Sequence, residues 1–282
     1  MNEKRYWIHA MTPLHAGAGR GLGYIDMPIA REKVTNWPYI PGSSIKGVIA
    51  DHFNATDEKR QNNNELKAAF GVSGSDNDCA AGALVFTDAN IFCLPVRSFY
   101  GTFAWITSPF CLRRMNINVS DTPSDDEALI TQKSALAKDD MKIYLEDLDL
   151  NARKSDFAGD TARKASESVF ADNKDWQKVF AERFAVVSDD MFTFLCESGT
   201  EVSAHIRINN NTGIVEKGAL WYEEALPVET ILSGKIWCDK VFVKDFTPED
   251  LFAQFCSGVL SLQIGGKAST GKGQVRCIFE GE

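Results

Sequence analysis

The sequence predicts an α+β fold, and three observations predict it. Residues 5–11 alternate, with Tyr6, Ile8 and Ala10 on one face and Trp7, His9 and Met11 on the other, the period of a strand. Ile45, Val48, Ile49 and Phe53 recur at helical spacing directly after a pair of serines. In 200–222, Val202, Ala204, Ile206 and Ile208 alternate with Ser203, His205, Arg207 and Asn209. The polar turn Asn210-Asn211-Thr212-Gly213 then reverses the chain, as in a hairpin.

The elements between these follow in order. The first strand breaks at Thr12-Pro13 and enters a run carrying Gly17, Gly19, Gly21 and Gly23, where φ > 0 and close backbone approach are allowed. Ser43 or Ser44 is the expected N-cap of the helix that follows. Residues 83–114 are rich in β-branched and aromatic side chains and read as strands. Residues 121–190 are charged, with Ala and Lys throughout, and read as an acidic helical insertion or lid. A helix is expected near 248–256, before the glycine-rich stretch 265–273. No repeat of 20–50 residues and no low-complexity linker is present.

Composition removes several classes. The chain has 282 residues, 44% hydrophobic, enough for one elaborated domain or two small ones. No apolar run approaches the ~20 residues of a membrane span, and a soluble, cytoplasmic protein is expected. The seven cysteines are scattered and never form CxxC, the usage of buried thiols in a reducing compartment. The four histidines form neither HExxH nor a Cys/His cluster, so no zinc site is expected. The net charge of −9 is unlike a simple nucleic-acid binder, yet it is unevenly placed. Residues 1–50 hold six cations against three acids, and 262–276 hold three cations and no acid. Residues 121–190 hold seventeen acids against ten cations. Phosphates are neutralised locally, so an acidic chain can carry a basic groove at its two ends.

Four segments could carry chemistry. Gly266, Gly271 and Lys272 nearly spell a phosphate loop, but Gly273 stands where the metal-binding hydroxyl belongs, which argues against a nucleotidase. What remains is a glycine cradle with two lysines, suited to a phosphate backbone. Ser43, Ser44 and Lys46 at a helix start offer a second anion site, or only a cap. Asp26, just after the first glycine run, could ligate Mg²⁺ or orient a nucleophile, or it could simply cap or solvate its loop. His15 could be a general base, an RNA contact or a turn residue. Glu223 and Glu224 read as a solvated pair at the hairpin's end.

In this order these segments resemble the RAMP superfamily, and within it the backbone subunit of type III-B CRISPR (Cmr) effector complexes. The matching pieces are Thr12-Pro13-Leu14-His15 and its glycines, Ile25-Asp26-Met27-Pro28-Ile29-Ala30-Arg31-Glu32, and Pro38-Tyr39-Ile40-Pro41-Gly42-Ser43-Ser44-Ile45-Lys46-Gly47. Leu94-Pro95-Val96-Arg97-Ser98, Phe103-Ala104-Trp105, Ile206-Arg207-Ile208, Gly218-Ala219-Leu220 and 265–273 complete the set. The resemblance is thinnest over 115–190.

The resemblance implies a modified ferredoxin-like (RRM-like) palm, discontinuous over 1–120 and 191–282, with the insertion at 121–190 and an extended thumb hairpin at 200–222. It implies partners: guide RNA, complementary target RNA, further copies of the chain stacked in a helical filament, and other Cmr subunits. It implies target cleavage in a reaction dependent on Mg²⁺ (or Mn²⁺), with Asp26 as the essential acid and metal ligand and His15 and Glu223 as assistants. RNA contacts are then expected at Gly17, Gly19, Arg20, Ser43, Ser44, Lys46, His205, Arg207, Gly265, Gly266, Lys267 and Lys272. A non-catalytic RNA scaffold and a metal-independent, histidine-based guide-processing ribonuclease are the alternatives.

Overall fold

The alternation of residues 5–11 becomes the strand Asn2–Ala10, third from one edge of a 12-stranded mixed sheet. The structure is a computed structural model that describes residues 2–19, 21, 23–73, 79–209 and 211–281. Tyr6, Ile8 and Ala10 enter one hydrophobic core and Trp7 enters another on the opposite face, as a two-residue period requires.

Four antiparallel strands lie side by side towards one edge of the sheet, in the order Gln274–Phe279, Asn2–Ala10, Ile231–Cys238 and Ala89–Arg97. A helix, Gly42–His52, follows the first of these in the chain, and another, Pro248–Phe255, follows the third. Both supply the core on the Tyr6 face through Ile45, Ile49, Leu251 and Phe255. Val259–Gln263 adds one edge.

Two expectations about regular structure are corrected. The segment 121–190 is not simply helical. Its helices Asp156–Val169 and Lys174–Arg183 do cover the Trp7 face, burying Ala158, Ala162, Val169 and Phe180. It also contributes Glu127–Ile130, Lys142–Leu145, Leu148–Lys154 and Phe184–Val187 to the same large sheet. The apolar stretches Ala128-Leu129-Ile130 and Phe184-Ala185-Val186-Val187 are completely buried. A fully buried strand shows no alternation, and the surrounding charge hid both from a composition reading. Residues 83–114 likewise end in a helix, Pro109–Arg114, with Pro109 in its first turn and the Ser108 hydroxyl accepting from the Cys111 N–H.

The hairpin is a separate two-stranded sheet, Glu201–Ile208 with Val215–Ala225, three residues longer at its base than expected. Its turn is closed by Asn209, whose Oδ1 accepts from the N–H groups of Asn211 and Thr212. Val202, Ile206, Ile208, Ile214 and Leu220 are about half exposed or more. Of the free cysteines only Cys79 is exposed. Among the described residues no helix is long and apolar enough to cross a membrane.

Candidate active site and RNA interface

The segment after the first strand runs along the root of the hairpin. Single bridges join Leu14 to Leu226, Gly17 to Ile29 and Met27 to Glu223. The Met27 N–H donates to the Tyr222 carbonyl, and the Glu224 N–H donates to the Met27 carbonyl. This stitching places Asp26 against the hairpin. Its Oδ2 accepts from the Tyr222 N–H at 2.8 Å, while the residue remains exposed. Asp26 lines a cleft of about 600 Å³ with Lys267, Arg207, Trp221 and residues 216–220.

The hairpin strand alternates, so Glu223 and Glu224 leave it on opposite faces. Both are buried, at 2% and 3% exposure, and the expectation of a solvated pair is corrected. Glu224 accepts from Arg31 at 2.6 Å, from the Thr200 hydroxyl at 2.9 Å and from the Ile29 N–H at 3.1 Å. Glu223 faces the glycine-rich stretch. Lys267 Nζ lies 2.6 Å from it, Lys272 Nζ 3.7 Å and His205 Nε2 3.4 Å. Trp221 Nε1 donates to it at 2.7 Å and its ring stacks on His205. Burial alone would raise this carboxyl. The hydrogen bonds from Lys267 and Trp221, with the charges of His205 and Lys267, outweigh burial and hold it down at about 2. Glu223 is therefore no general base. Its oxygens are committed, and it anchors Lys267, Lys272 and His205 at the hairpin root.

Other expected residues divide in the same way. His15 is 6% exposed, and its Nδ1–H donates to the Glu224 carbonyl at 2.6 Å. It lines a hollow of about 310 Å³ with Gly17, Ser44, Gly265 and Gly266. The Gly266 N–H donates to the His15 carbonyl, and a Cβ on Gly265 (φ +79°) would collide with that carbonyl. The glycines here permit close backbone approach to His15. Gly19 (φ +95°) is exposed, and Arg20 lies outside the described residues. Arg207 is exposed, 3.6 Å from Glu216.

The first helix departs from expectation. It starts at Gly42 with Pro41 in the cap position, so neither Ser43 nor Ser44 caps it, and both are exposed in its first turn. Asp88 accepts the Gly42 N–H at 2.8 Å, which spends part of the helix's anion-binding capacity on a carboxylate. Lys46 is turned inward, donating to the Leu84 carbonyl at 2.9 Å, and burial lowers its pKa. It does not present a charge to a phosphate. Trp221, Tyr222 and Arg31 belong to the site and were not singled out from sequence. The adjacency of an aromatic and two acids at a strand's end was the available signal.

An α+β fold with a broad sheet and a separate two-stranded hairpin, with the exposed carboxylate of Asp26 bonded at the hairpin root, is the architecture in hand. The chain belongs to the RAMP superfamily, whose family model matches residues 7–276. Within it, the chain is 32% identical over 291 residues to the CRISPR system Cmr endoribonuclease Cmr4 of Pyrococcus furiosus, covering 97% of this chain and 94% of that one. The crystal structure of oligomeric Cmr4 from the same organism superposes with a TM-score of 0.71 at 26% identity, covering 99% and 98% of the two chains. A chain of the type III-B Cmr-beta complex bound to cognate target RNA has the same fold, with a TM-score of 0.72 at 18% identity over 99% and 97% of the chains.

Proposed function

We propose that this chain is the repeating backbone subunit of a type III-B CRISPR ribonucleoprotein, cytoplasmic, that binds guide RNA and cleaves complementary target RNA. The observation that carries the reading is the position of Asp26, an exposed acid fixed by one oxygen to the hairpin root at the mouth of an open cleft. Full-length similarity to a protein named an endoribonuclease supports the reaction type, and similarity to an oligomeric Cmr4 supports self-association. The strand order fourth, first, third, second, with helices after the first and third, supports a ferredoxin-like palm with the hairpin as thumb.

In this reading the exposed apolar tip of the hairpin displaces a target nucleotide from the guide–target duplex. Its 2′-OH can then line up with the adjacent phosphorus, a geometry that A-form stacking forbids. The 2′-OH gives up its proton to solvent as its oxygen bonds to phosphorus, the P–O5′ bond breaks, the leaving 5′-oxygen takes up a proton from solvent, and a 2′,3′-cyclic phosphate and a 5′-OH result. Orientation supplies most of the acceleration. Lys267, on the cleft wall, supplies positive charge beside the phosphate. Base pairing, not side chains, selects the sequence.

Among the described residues no group of three His, Cys, Asp or Glu could hold a metal unaided. The donor set fits one mode only, a hydrated Mg²⁺ or Mn²⁺ held jointly by Asp26 and RNA phosphate oxygens, as Mg²⁺ commonly is. Bound so, the ion would neutralise charge developing on the phosphate. The experiment is cleavage by complexes assembled with Asp26→Asn, with and without EDTA. Loss of cutting with guide binding intact is expected, and cutting at the wild-type rate overturns the assignment.

A further inference from the structure

His15 has one ring nitrogen whose role the scaffold decides and one left over. The Glu224 carbonyl can only accept, so the 2.6 Å contact requires the proton on Nδ1. That carbonyl is held in place, because the side chain of the same residue is bound by Arg31, Thr200 and the Ile29 N–H. In the neutral ring, Nε2 is then a bare acceptor. It has no hydrogen-bond partner among the described residues, although the residue is 6% exposed. The neighbouring position keeps it uncovered: a Cβ on Gly17 would lie 2.7 Å from Nε2. The hollow beside it, about 310 Å³, is lined by His15, Gly17, Gly265 and Gly266, with Ser44 as its further hydroxyl.

A lone-pair acceptor does not bind a phosphate oxygen, which has only lone pairs to offer. It binds a hydroxyl or an N–H. Besides His15 the lining is three glycines, the apolar Ala16, Pro41 and Ile264, and the Ser44 hydroxyl, too few side-chain donors and acceptors to read a base edge. We propose that this hollow takes the ribose of the guide strand, with His15 Nε2 accepting a hydrogen bond from a 2′-hydroxyl, and so distinguishes RNA from DNA at the guide. The inference rests on the guide-binding reading above and adds to it a sugar-recognition site that uses His15 as a specificity residue, not as a base. The 2′-OH is the group by which a protein can tell the two nucleic acids apart at a given position.

The test uses wild-type full-length chain and single-stranded guides carrying one 2′-deoxy or one 2′-fluoro nucleotide, moved along the strand at pH 8. The fluoro sugar keeps the RNA pucker and lacks the hydroxyl donor. At the nucleotide facing His15, both substitutions should weaken guide binding about five-fold, the scale of one hydrogen bond. The same substitutions in the target strand should leave binding unchanged. In His15→Asn, whose amide can still donate to the Glu224 carbonyl, all-ribose and substituted guides should bind alike. If 2′-fluoro guides bind like RNA at every position, or if His15→Asn remains equally sensitive to deoxy substitution, the sugar assignment is overturned. Failure of the wild-type chain to bind an unmodified guide would instead overturn the guide-binding reading itself.

Discussion

Replacing Glu223 by Gln removes the one negative charge that faces Lys267, Lys272 and His205 together. The carboxyl drops from an ordinary 4.5 to about 2 in the fold, and at 1.36 kcal/mol per unit this corresponds to about 3 kcal/mol of stability at neutral pH. The sign follows from the depressed value. The stabilisation is fully present above about pH 4.5 and is lost as pH falls from there towards 2. A glutamine can still accept from Trp221 Nε1, so the change acts chiefly on charge. Urea unfolding of the full chain should therefore show Glu223→Gln less stable by roughly 2–3 kcal/mol at pH 7. The difference between the two proteins should shrink as pH is lowered through 4.5, because wild type loses there what the variant already lacks. Other acids titrate in the same range, so the difference between the curves carries the information. Parallel curves for the two proteins from pH 7 to pH 3 would refute the assignment of Glu223 as the electrostatic anchor.

Asp26→Asn keeps an oxygen to accept the Tyr222 N–H, so fold and assembly should survive while the target cleavage rate falls roughly 100-fold or more. Lys267→Ala should weaken guide binding similarly for every guide sequence and flatten the slope of log K against log salt by about one, measured by filter binding. Lys46→Ala should leave that slope unchanged and lower the melting temperature instead, because its charge is bonded to the Leu84 carbonyl. Replacing 208–214 by a short Gly-Ser link should preserve target binding and abolish regularly spaced cuts, and unchanged cutting would sink the displacement mechanism.

Where periodicity speaks, the fold was legible. The first strand, the first helix's apolar face and the hairpin each repeat a pattern long enough to identify them, and the hairpin's turn is spelled by Asn and Gly. What escaped was of one physical kind. Strands buried on both faces carry no alternation, so Phe184–Val187 and Glu127–Ile130 were lost in a charged segment. In the candidate site, residue type alone does not fix how a side chain is used. Lys46 has the composition of a phosphate contact and the geometry of a half-buried strut, and Glu223 has the composition of a base and the geometry of an anchor. Orientation depends on tertiary partners such as Leu84 and Lys267, distant in sequence, which no local pattern records. By composition the glycines at 265 and 266 suit a cradle for phosphate. Part of their function is internal, since they let the backbone close on His15.

The two buried glutamates explain how a ribbon with little core of its own can exert force. An isolated hairpin is marginal in water, and this one has half-exposed apolar side chains along its length. Its root is fixed on both faces, by Glu224 to Arg31 and the 29–31 segment and by Glu223 to Lys267 and the glycine-rich stretch. Adjacent residues on a strand point to opposite sides, so two consecutive acids grip two separate segments of the body with no extra length of chain. Asp26 is bonded to Tyr222, immediately before this pair, so the acid is referenced to the ribbon and not only to its own loop. In the proposed mechanism, a nucleotide displaced by the ribbon would be delivered at a fixed offset from the acid. Loosening either glutamate should spoil that offset before it unfolds the protein, which would make cleavage more sensitive than guide binding to changes at 223 and 224.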